Sequence, residues 1–197
     1  MKNNIKLELK IWVIYFVTII LSVYAHELGH CIYVWLQGYK AIPTPAKSYI
    51  ADNFPANLNQ YFFLSGIAGS VLFVLAGFLF YYFVNNKFSS AILAAAIVVP
   101  GMYTIRFILS GRGHDGTEFQ EAQGALGLHY SGHSLDWFFL LLFLSGTMIW
   151  FIKSKPNFKI LGRLFIGTIL TIIFFIALQS VNNKIFDPMF NSQVYRV

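Results

Sequence analysis

The chain has 197 residues, of which 57% are hydrophobic, 18% are aromatic and only 11% are charged, and its formal net charge is +6. This composition excludes a disordered chain and argues against a soluble domain, whose surface needs about twice as many charges. The 14 basic residues are scattered between apolar runs, so we expect no nucleic-acid partner. Composition therefore predicts an integral membrane protein whose surroundings are the lipid bilayer.

Five apolar stretches are long enough to cross a bilayer, which takes roughly 20 helical residues. They run from about Ile11 to Leu36, Tyr61 to Val84, Ala91 to Leu109, Leu135 to Ile152 and Ile160 to Leu178. Each is too long and too uniformly apolar for a barrel strand, which alternates over about ten residues. The prediction is an all-α, polytopic protein of about five transmembrane helices, with residues 1–197 forming a single membrane-embedded domain.

Two connections between these stretches are long. Residues 38–60 contain Pro43, Pro45 and Pro55, so we expect an irregular or extended segment. Residues 110–134 are rich in glycine and carry three of the five histidines together with three acids. Polar residues concentrated beside membrane spans usually mark function.

In what we expect to be the cell membrane, the distribution of positive charge gives a weak bias toward a cytoplasmic amino terminus. That orientation places eight basic residues inside and six outside, and the cluster from Lys153 to Arg163 is the clearest local signal. Residues 1–25 also resemble a signal peptide. Because the apolar run continues to Leu36, we favour an uncleaved first span.

The first span contains the sequence His26-Glu27-Leu28-Gly29-His30, an H-E-x-x-H motif. Residues four apart share a helix face, so His26 and His30 can direct two imidazoles at one metal ion. Glu27 is offset by one residue, which suits a general base that takes a proton from a water molecule at the metal. Polar side chains are costly inside an apolar helix, so the motif predicts a metal site and not merely hydrogen bonds between packed helices.

A catalytic zinc ion usually has three protein ligands and an open position. The first span offers two ligands, so a third is expected from the glycine-rich connection. The candidates there are His114, Asp115, Glu118, Glu121, His129 and His133. Spacing alone does not choose among them.

The H-E-x-x-H motif in a membrane helix, followed by Asp115-Gly116, resembles the site-2 protease family of intramembrane zinc metalloproteases. That family also has a small-residue motif opening the intervening helix, and residues 65–70, Ser-Gly-Ile-Ala-Gly-Ser, occupy that place. The order of these elements is similar over about residues 11–120. The resemblance implies that Asp115, in preference to Glu118, is the third ligand.

The resemblance further implies that His26, His30 and Asp115 hold Zn²⁺ while Glu27 activates the water that attacks a peptide bond. The substrate would be a transmembrane peptide or protein that unwinds locally, and the segment from Ala41 to Asn57 is a candidate to hold it in an extended form. Three alternatives stay open: a membrane lipid-amide hydrolase, a di-iron oxidoreductase that also uses His129 and His133, and a non-catalytic membrane metal-binding protein.

Overall fold

A computed structural model describes residues 2–51, 53–113, 116–129 and 132–190. Its elements in chain order are α1 (Lys2–Leu36), β1 (Ala41–Pro43), β2 (Ser48–Ile50), α2 (Asn59–Val84), α3 (Lys87–Ala96), α4 (Val98–Ser110), α5 (Gly116–Ala125), α6 (Ser134–Ser154), α7 (Phe158–Val181) and α8 (Asp187–Met189). A 3₁₀ turn precedes α2, and a π-helical turn joins α7 to α8. The all-α prediction is confirmed.

Five segments of the described chain are helical, long and apolar enough to cross a membrane. They are Ile5–Leu36, Ala56–Val84, Lys87–Ser110, Ser134–Ser154 and Phe158–Met189. The number predicted from the sequence is correct, but all five spans extend beyond their predicted bounds, and the last one does so most. Large apolar side chains such as Leu79 and Leu141 lie on the exposed surface of these helices, as expected for a bundle whose solvent is lipid.

The third span is a broken helix, in which α3 ends and α4 begins at Ile97. Pro100 causes the break, because it has no N–H group and its ring crowds the carbonyl group four residues earlier. That carbonyl belongs to Ala96, the last residue of α3. The helix resumes at once, with the N–H of Gly101 bonded to the carbonyl of Ile97.

The backbones of helices α1 and α2 are in very close contact where glycine residues face the other helix. A Cβ atom added to Gly29 would collide with the carbonyl oxygen of Ser65, and one added to Gly69 would collide with the carbonyl oxygen of Ala25. Small residues allow this kind of backbone approach between membrane helices. Gly69 belongs to the small-residue motif of residues 65–70, so this motif allows the close approach and brings the side chains of the two helices together.

The glycine-rich connection contains the helix α5, which the sequence analysis treated as part of a connection. One face of α5 is buried, with Glu118, Phe119, Ala122 and Gln123 inward. Gln123 ties the helix to the start of α6, because its Oε1 accepts from the Leu135 N–H and its Nε2 donates to the Gly132 carbonyl. These bonds fix the position of Glu118.

The proline-containing connection forms a short antiparallel hairpin of β1 and β2, in which Ala41 faces Ile50 and Pro43 faces Ser48. The expectation of an extended segment is confirmed for these six residues. All three residues of β2 are buried. Strand β2 therefore lies inside the folded protein and β1 is half-buried beside it, at the end of the bundle where α1 ends and α2 begins.

Candidate metal centre

Three side chains from α1 and α5 meet at one point. The Nε2 atoms of His26 and His30 are 3.1 Å apart. Oε1 of Glu118 lies 3.0 Å from the His26 Nε2 atom and 3.5 Å from that of His30. All three residues are at least nine-tenths buried, with relative exposures of 5%, 4% and 1%. We call this group the candidate metal site.

The backbone of α2 sets the orientation of the His30 ring. Its Nδ1 atom lies 2.7 Å from the carbonyl oxygen of Phe62, and because a carbonyl only accepts, Nδ1 carries the proton. The ring also stacks on the Phe62 ring at a centroid distance of 4.2 Å. Nε2 of a neutral His30 is therefore an acceptor directed at the candidate metal site.

His26 is oriented by the hydroxyl group of Ser70, which lies 3.0 Å from its Nδ1 atom. A histidine that ligates a metal almost always has such a partner on its other ring nitrogen, because the partner fixes the tautomer and the ring plane. The ring of Tyr103 from α4 packs at an angle against His26, with 6.5 Å between the centroids. This contact closes a further side of the candidate metal site.

Aromatic and aliphatic side chains surround the candidate metal site. Phe62 and Phe63 from α2, Phe119 from α5 and Phe139 from α6 belong to one buried cluster together with Val34. Such a shell excludes bulk water, and electrostatic interactions in low-dielectric surroundings are stronger than in water.

The chemistry of the donor set fits a metal ion. The three ligand atoms lie within 4.8 Å of one another, and two imidazole nitrogens with one carboxylate oxygen are a ligand set of catalytic zinc sites. Acceptor atoms directed at one point need a shared cation, which is a metal ion or a proton on one imidazole. The buried His-His-Glu group could therefore hold a metal ion, and its geometry does not identify the metal.

The third ligand expected from the family resemblance was Asp115, which lies outside the described residues together with His114. Glu118, the other acid that the sequence analysis weighed for this role, contacts both histidines. Among the remaining candidates, Glu121 is half-buried and His129 is exposed. His133 pairs with Asp136 at 2.9 Å.

Asp136 connects His133 to the loop that leads to Asp115. Its Oδ1 atom accepts a 2.7 Å hydrogen bond from the Gly113 N–H, and its other carboxylate oxygen contacts His133. Asp136 is buried, although it lies in the first turn of α6. A carboxylate in the first turn stabilises the amino terminus of a helix. The same Asp136 carboxylate also holds residue 113 in place.

Glu27 follows the first ligand on α1, and its carboxylate is held by the hairpin. The Ser48 hydroxyl lies 2.6 Å from Oε2 of Glu27 and 3.0 Å from the Glu27 carbonyl oxygen. A bond of this length to a carboxylate is typical of a charge-assisted interaction. Strand β2 therefore determines where the Glu27 carboxylate points.

The far side of the hairpin is fixed by the end of the last span. Asn182 accepts from the Thr44 hydroxyl at 2.9 Å and donates to the Tyr49 phenol at 2.8 Å. Asp187 accepts from Tyr49 at 2.9 Å and from Lys47 Nζ at 3.0 Å. Burial, with the Asp187 carboxylate beside it, raises the pKa of Tyr49 to about 12. The hairpin is therefore held between α1 and the chain following α7.

Sequence reasoning did not find Ser48, Ser70 or the Phe62 carbonyl as partners of the motif. Ser70 closes the small-residue motif, and serine opposite a histidine-bearing helix was a usable signal. Ser48 gave no such signal, because its role depends on a hairpin of three-residue strands. Backbone carbonyl groups carry no sequence signal at all.

Comparison with known proteins adds no relative. The chain matches no family model, no curated protein and no solved structure.

Proposed function

We propose that the protein is a metal-dependent intramembrane peptidase, with His26, His30 and Glu118 as ligands of a zinc ion and Glu27 as the general base. The observation that carries the proposal is the convergence of the two histidines of an H-E-x-x-H helix and a carboxylate from another helix on one buried point. A simple hydrogen-bonded motif does not need three acceptor groups directed at one another.

A zinc ion at these ligands would polarise the scissile carbonyl group and lower the pKa of a water molecule at the open position. Glu27 accepts a proton from the attacking water while the water oxygen bonds to the carbonyl carbon of the substrate. Glu27 then delivers the proton to the amine nitrogen as the carbon–nitrogen bond breaks. Ser48 keeps the Glu27 carboxylate in one orientation during both transfers.

The hairpin supports a peptide as the substrate class. A peptide bond is accessible to attack only where a substrate helix has unwound, and an unwound segment must satisfy its backbone N–H and carbonyl groups. Strands offer such partners to an extended chain. Because Ser48 of β2 contacts Glu27 directly, an extended substrate that paired with the hairpin would be close to the proposed general base.

Metal content and its dependence on the ligands test the site. Elemental mass spectrometry of detergent-purified protein should find about one zinc ion per chain, lost in His26→Ala, His30→Ala and Glu118→Ala. Asp115→Ala is the matched comparison and should retain the metal. Loss in Asp115→Ala with retention in Glu118→Ala would assign the third ligand to Asp115. Iron in place of zinc would favour the oxidoreductase alternative.

Catalysis is tested separately from metal binding with Glu27→Gln, which keeps the side chain's size and removes its basic oxygen. Membranes from cells that produce the wild-type protein or this variant are compared by labelling of new peptide amino termini and mass spectrometry. We expect termini within transmembrane segments only with the wild type. The same termini with a metal-loaded variant would refute the role of Glu27. No termini in either sample, with the metal bound, would favour a non-catalytic metal-binding protein.

A further inference from the structure

A cavity of about 660 Å³ opens at the end of the bundle opposite the hairpin. It lies between the beginning of α1, the α2–α3 junction, the end of α6 and the beginning of α7. We call it the α1–α7 cavity. None of its lining residues belongs to the candidate metal site, and its volume lies within the usual range of small-molecule sites, about 300 to 1,000 Å³.

The inner wall of the α1–α7 cavity is apolar and aromatic. Trp12 and Tyr15 from α1, Trp150 from α6 and Leu164 from α7 line it. The indole N–H of Trp150 is already satisfied, because its Nε1 donates to the hydroxyl of Ser90, which also lines the cavity. This wall suits a hydrocarbon chain, and an aromatic lining at a membrane interface commonly contacts lipid.

The rim of the cavity is polar and basic. Of the described residues, Lys87, Lys153 and Arg163 line it together with one acid, Glu8, which accepts from Arg163 at 2.6 Å. Lys153 Nζ lies 4.6 Å from the centroid of the Tyr82 ring. Three basic side chains and one acidic side chain leave the rim with an excess of positive charge, which is complementary to a phosphate group.

Two contacts that hold α7 against α1 also line the cavity. One is the Arg163–Glu8 ion pair. The other is at Gly167, where an added Cβ would lie 3.0 Å from the Trp12 ring. The remainder of α7 is largely exposed. In the apolar 18-residue stretch of the span Phe158–Met189, only 11% of the residues are buried within the protein. A ligand in the cavity would therefore contact a helix that has few other contacts.

We propose that the α1–α7 cavity binds an anionic phospholipid, with its phosphate at Lys87, Lys153 and Arg163 and an acyl chain along Trp12 and Trp150. Basic pockets between membrane helices bind anionic lipid headgroups. The cavity lies at the end of the bundle that holds Lys153, Lys155, Lys159 and Arg163, the cluster expected on the cytoplasmic side. A free phosphate would use the rim alone, whereas a lipid uses both the rim and the apolar wall.

The test titrates the purified full-length protein in neutral detergent with brominated phosphatidylglycerol and measures quenching of tryptophan fluorescence. We expect saturable quenching that brominated phosphatidylcholine reproduces only at about tenfold higher concentration. Equal quenching by the two lipids would overturn the proposal. Glycerol phosphate, added as competitor at the same concentration, should not restore the fluorescence, and full competition would identify a site for free phosphate.

Two double variants that remove the same charge distinguish binding at the cavity rim from unspecific attraction to the positively charged end of the bundle. Lys87→Gln with Lys153→Gln should weaken phosphatidylglycerol binding by about tenfold. Lys155→Gln with Lys159→Gln removes the same charge from exposed residues that do not line the cavity and should change binding less than twofold. An equal loss in both would show unspecific attraction and refute the site. Because all four lysines are exposed, we expect each variant to fold.

Discussion

The imidazole of His30 occupies the space that a side chain at residue 66 would fill. A Cβ atom added to Gly66 would overlap the Cε1 and Nε2 atoms of that ring. Residue 66 is thus part of the candidate metal site although it offers no ligand atom. The absence of a side chain on α2 allows the ring of a residue on α1 to lie against the α2 backbone.

Gly66→Ala should therefore displace His30 and weaken zinc binding by at least tenfold. It should also lower the free energy of unfolding by about 1–3 kcal/mol, the usual cost of overpacking. Zinc content and thermal unfolding in detergent measure the two effects. Gly162→Ala is the control, because an added Cβ there meets nothing within 4 Å. Full zinc content in Gly66→Ala would show that His30 is not a ligand in this orientation.

Ser70→Ala removes the hydroxyl beside His26 Nδ1 and leaves both ligand residues in place. We expect zinc affinity to fall by about ten- to a hundredfold, as is typical when a partner of a ligating histidine is lost. Competition with a chelator of known affinity measures the change. Thr168→Ala also removes one hydroxyl from a spanning helix, but within the described part of the chain that group bonds to its own helix, at the Leu164 carbonyl. An equal effect in both variants would contradict a specific role for Ser70.

Ser48→Ala frees the Glu27 carboxylate from the hairpin. If Glu27 is the general base, turnover should fall by about ten- to a hundredfold, since catalysis is sensitive to small displacements of a reacting group. Zinc content should not change, because Ser48 contacts none of the three ligands in the candidate metal site. Ser48→Thr keeps a hydroxyl and should restore part of the turnover. Normal turnover in Ser48→Ala would mean that the hairpin does not position the base.

The Tyr49 phenol should lose its proton at a higher pH than an ordinary tyrosine. Its protonated phenol donates to Asp187, and burial with the neighbouring carboxylate raises its pKa to about 12, above the ordinary value near 10. Because the folded-state pKa is the higher one, this contribution to stability is complete below about pH 10. It is then lost as the pH rises toward 12.

Absorbance at 295 nm, as the difference between the wild type and Tyr49→Phe, isolates this one phenol from the other ten tyrosines. The difference should appear with a midpoint near 12. Asp187→Asn removes the carboxylate and should lower the midpoint. A difference that already appears near the ordinary tyrosine pKa would place Tyr49 in water and contradict its contact with the end of the last span.

Much of the fold could be predicted from the sequence because lipid imposes a simple rule on it. A spanning segment must be helical and apolar over about 20 residues, so hydropathy located all five spans. The break at Ile97 was also within reach, since Pro100 lies in the third span. The polar extension of α1 before residue 11 was missed, because charged residues there hide a helix that hydropathy does not detect.

The candidate metal site could be predicted only in part, for a related reason. His26 and His30 are close because helix geometry makes residues four apart neighbours. Glu118 is 88 residues further along the chain, on a short helix whose position depends on Gln123 and the start of α6. Local pattern does not encode such a long-range placement. The family resemblance suggested Asp115, which lies outside the described residues, and among the described residues Glu118 contacts both histidines.

The hydrogen bond between Thr44 and Asn182, which helps to hold the hairpin, joins residues that are synthesised at very different times. Thr44 and its partner Asn182 are separated by 138 positions. Because a chain leaves the ribosome from its amino terminus, a nascent protein carries the H-E-x-x-H helix, the hairpin and Glu118 before Asn182 exists. The contact between Thr44 and Asn182 can form only after α7 and the turn that follows it have been synthesised. Synthesis of the segment that contains Asn182 is thus a precondition for the contacts that hold Thr44 and Tyr49, which lie on either side of Ser48 in the hairpin.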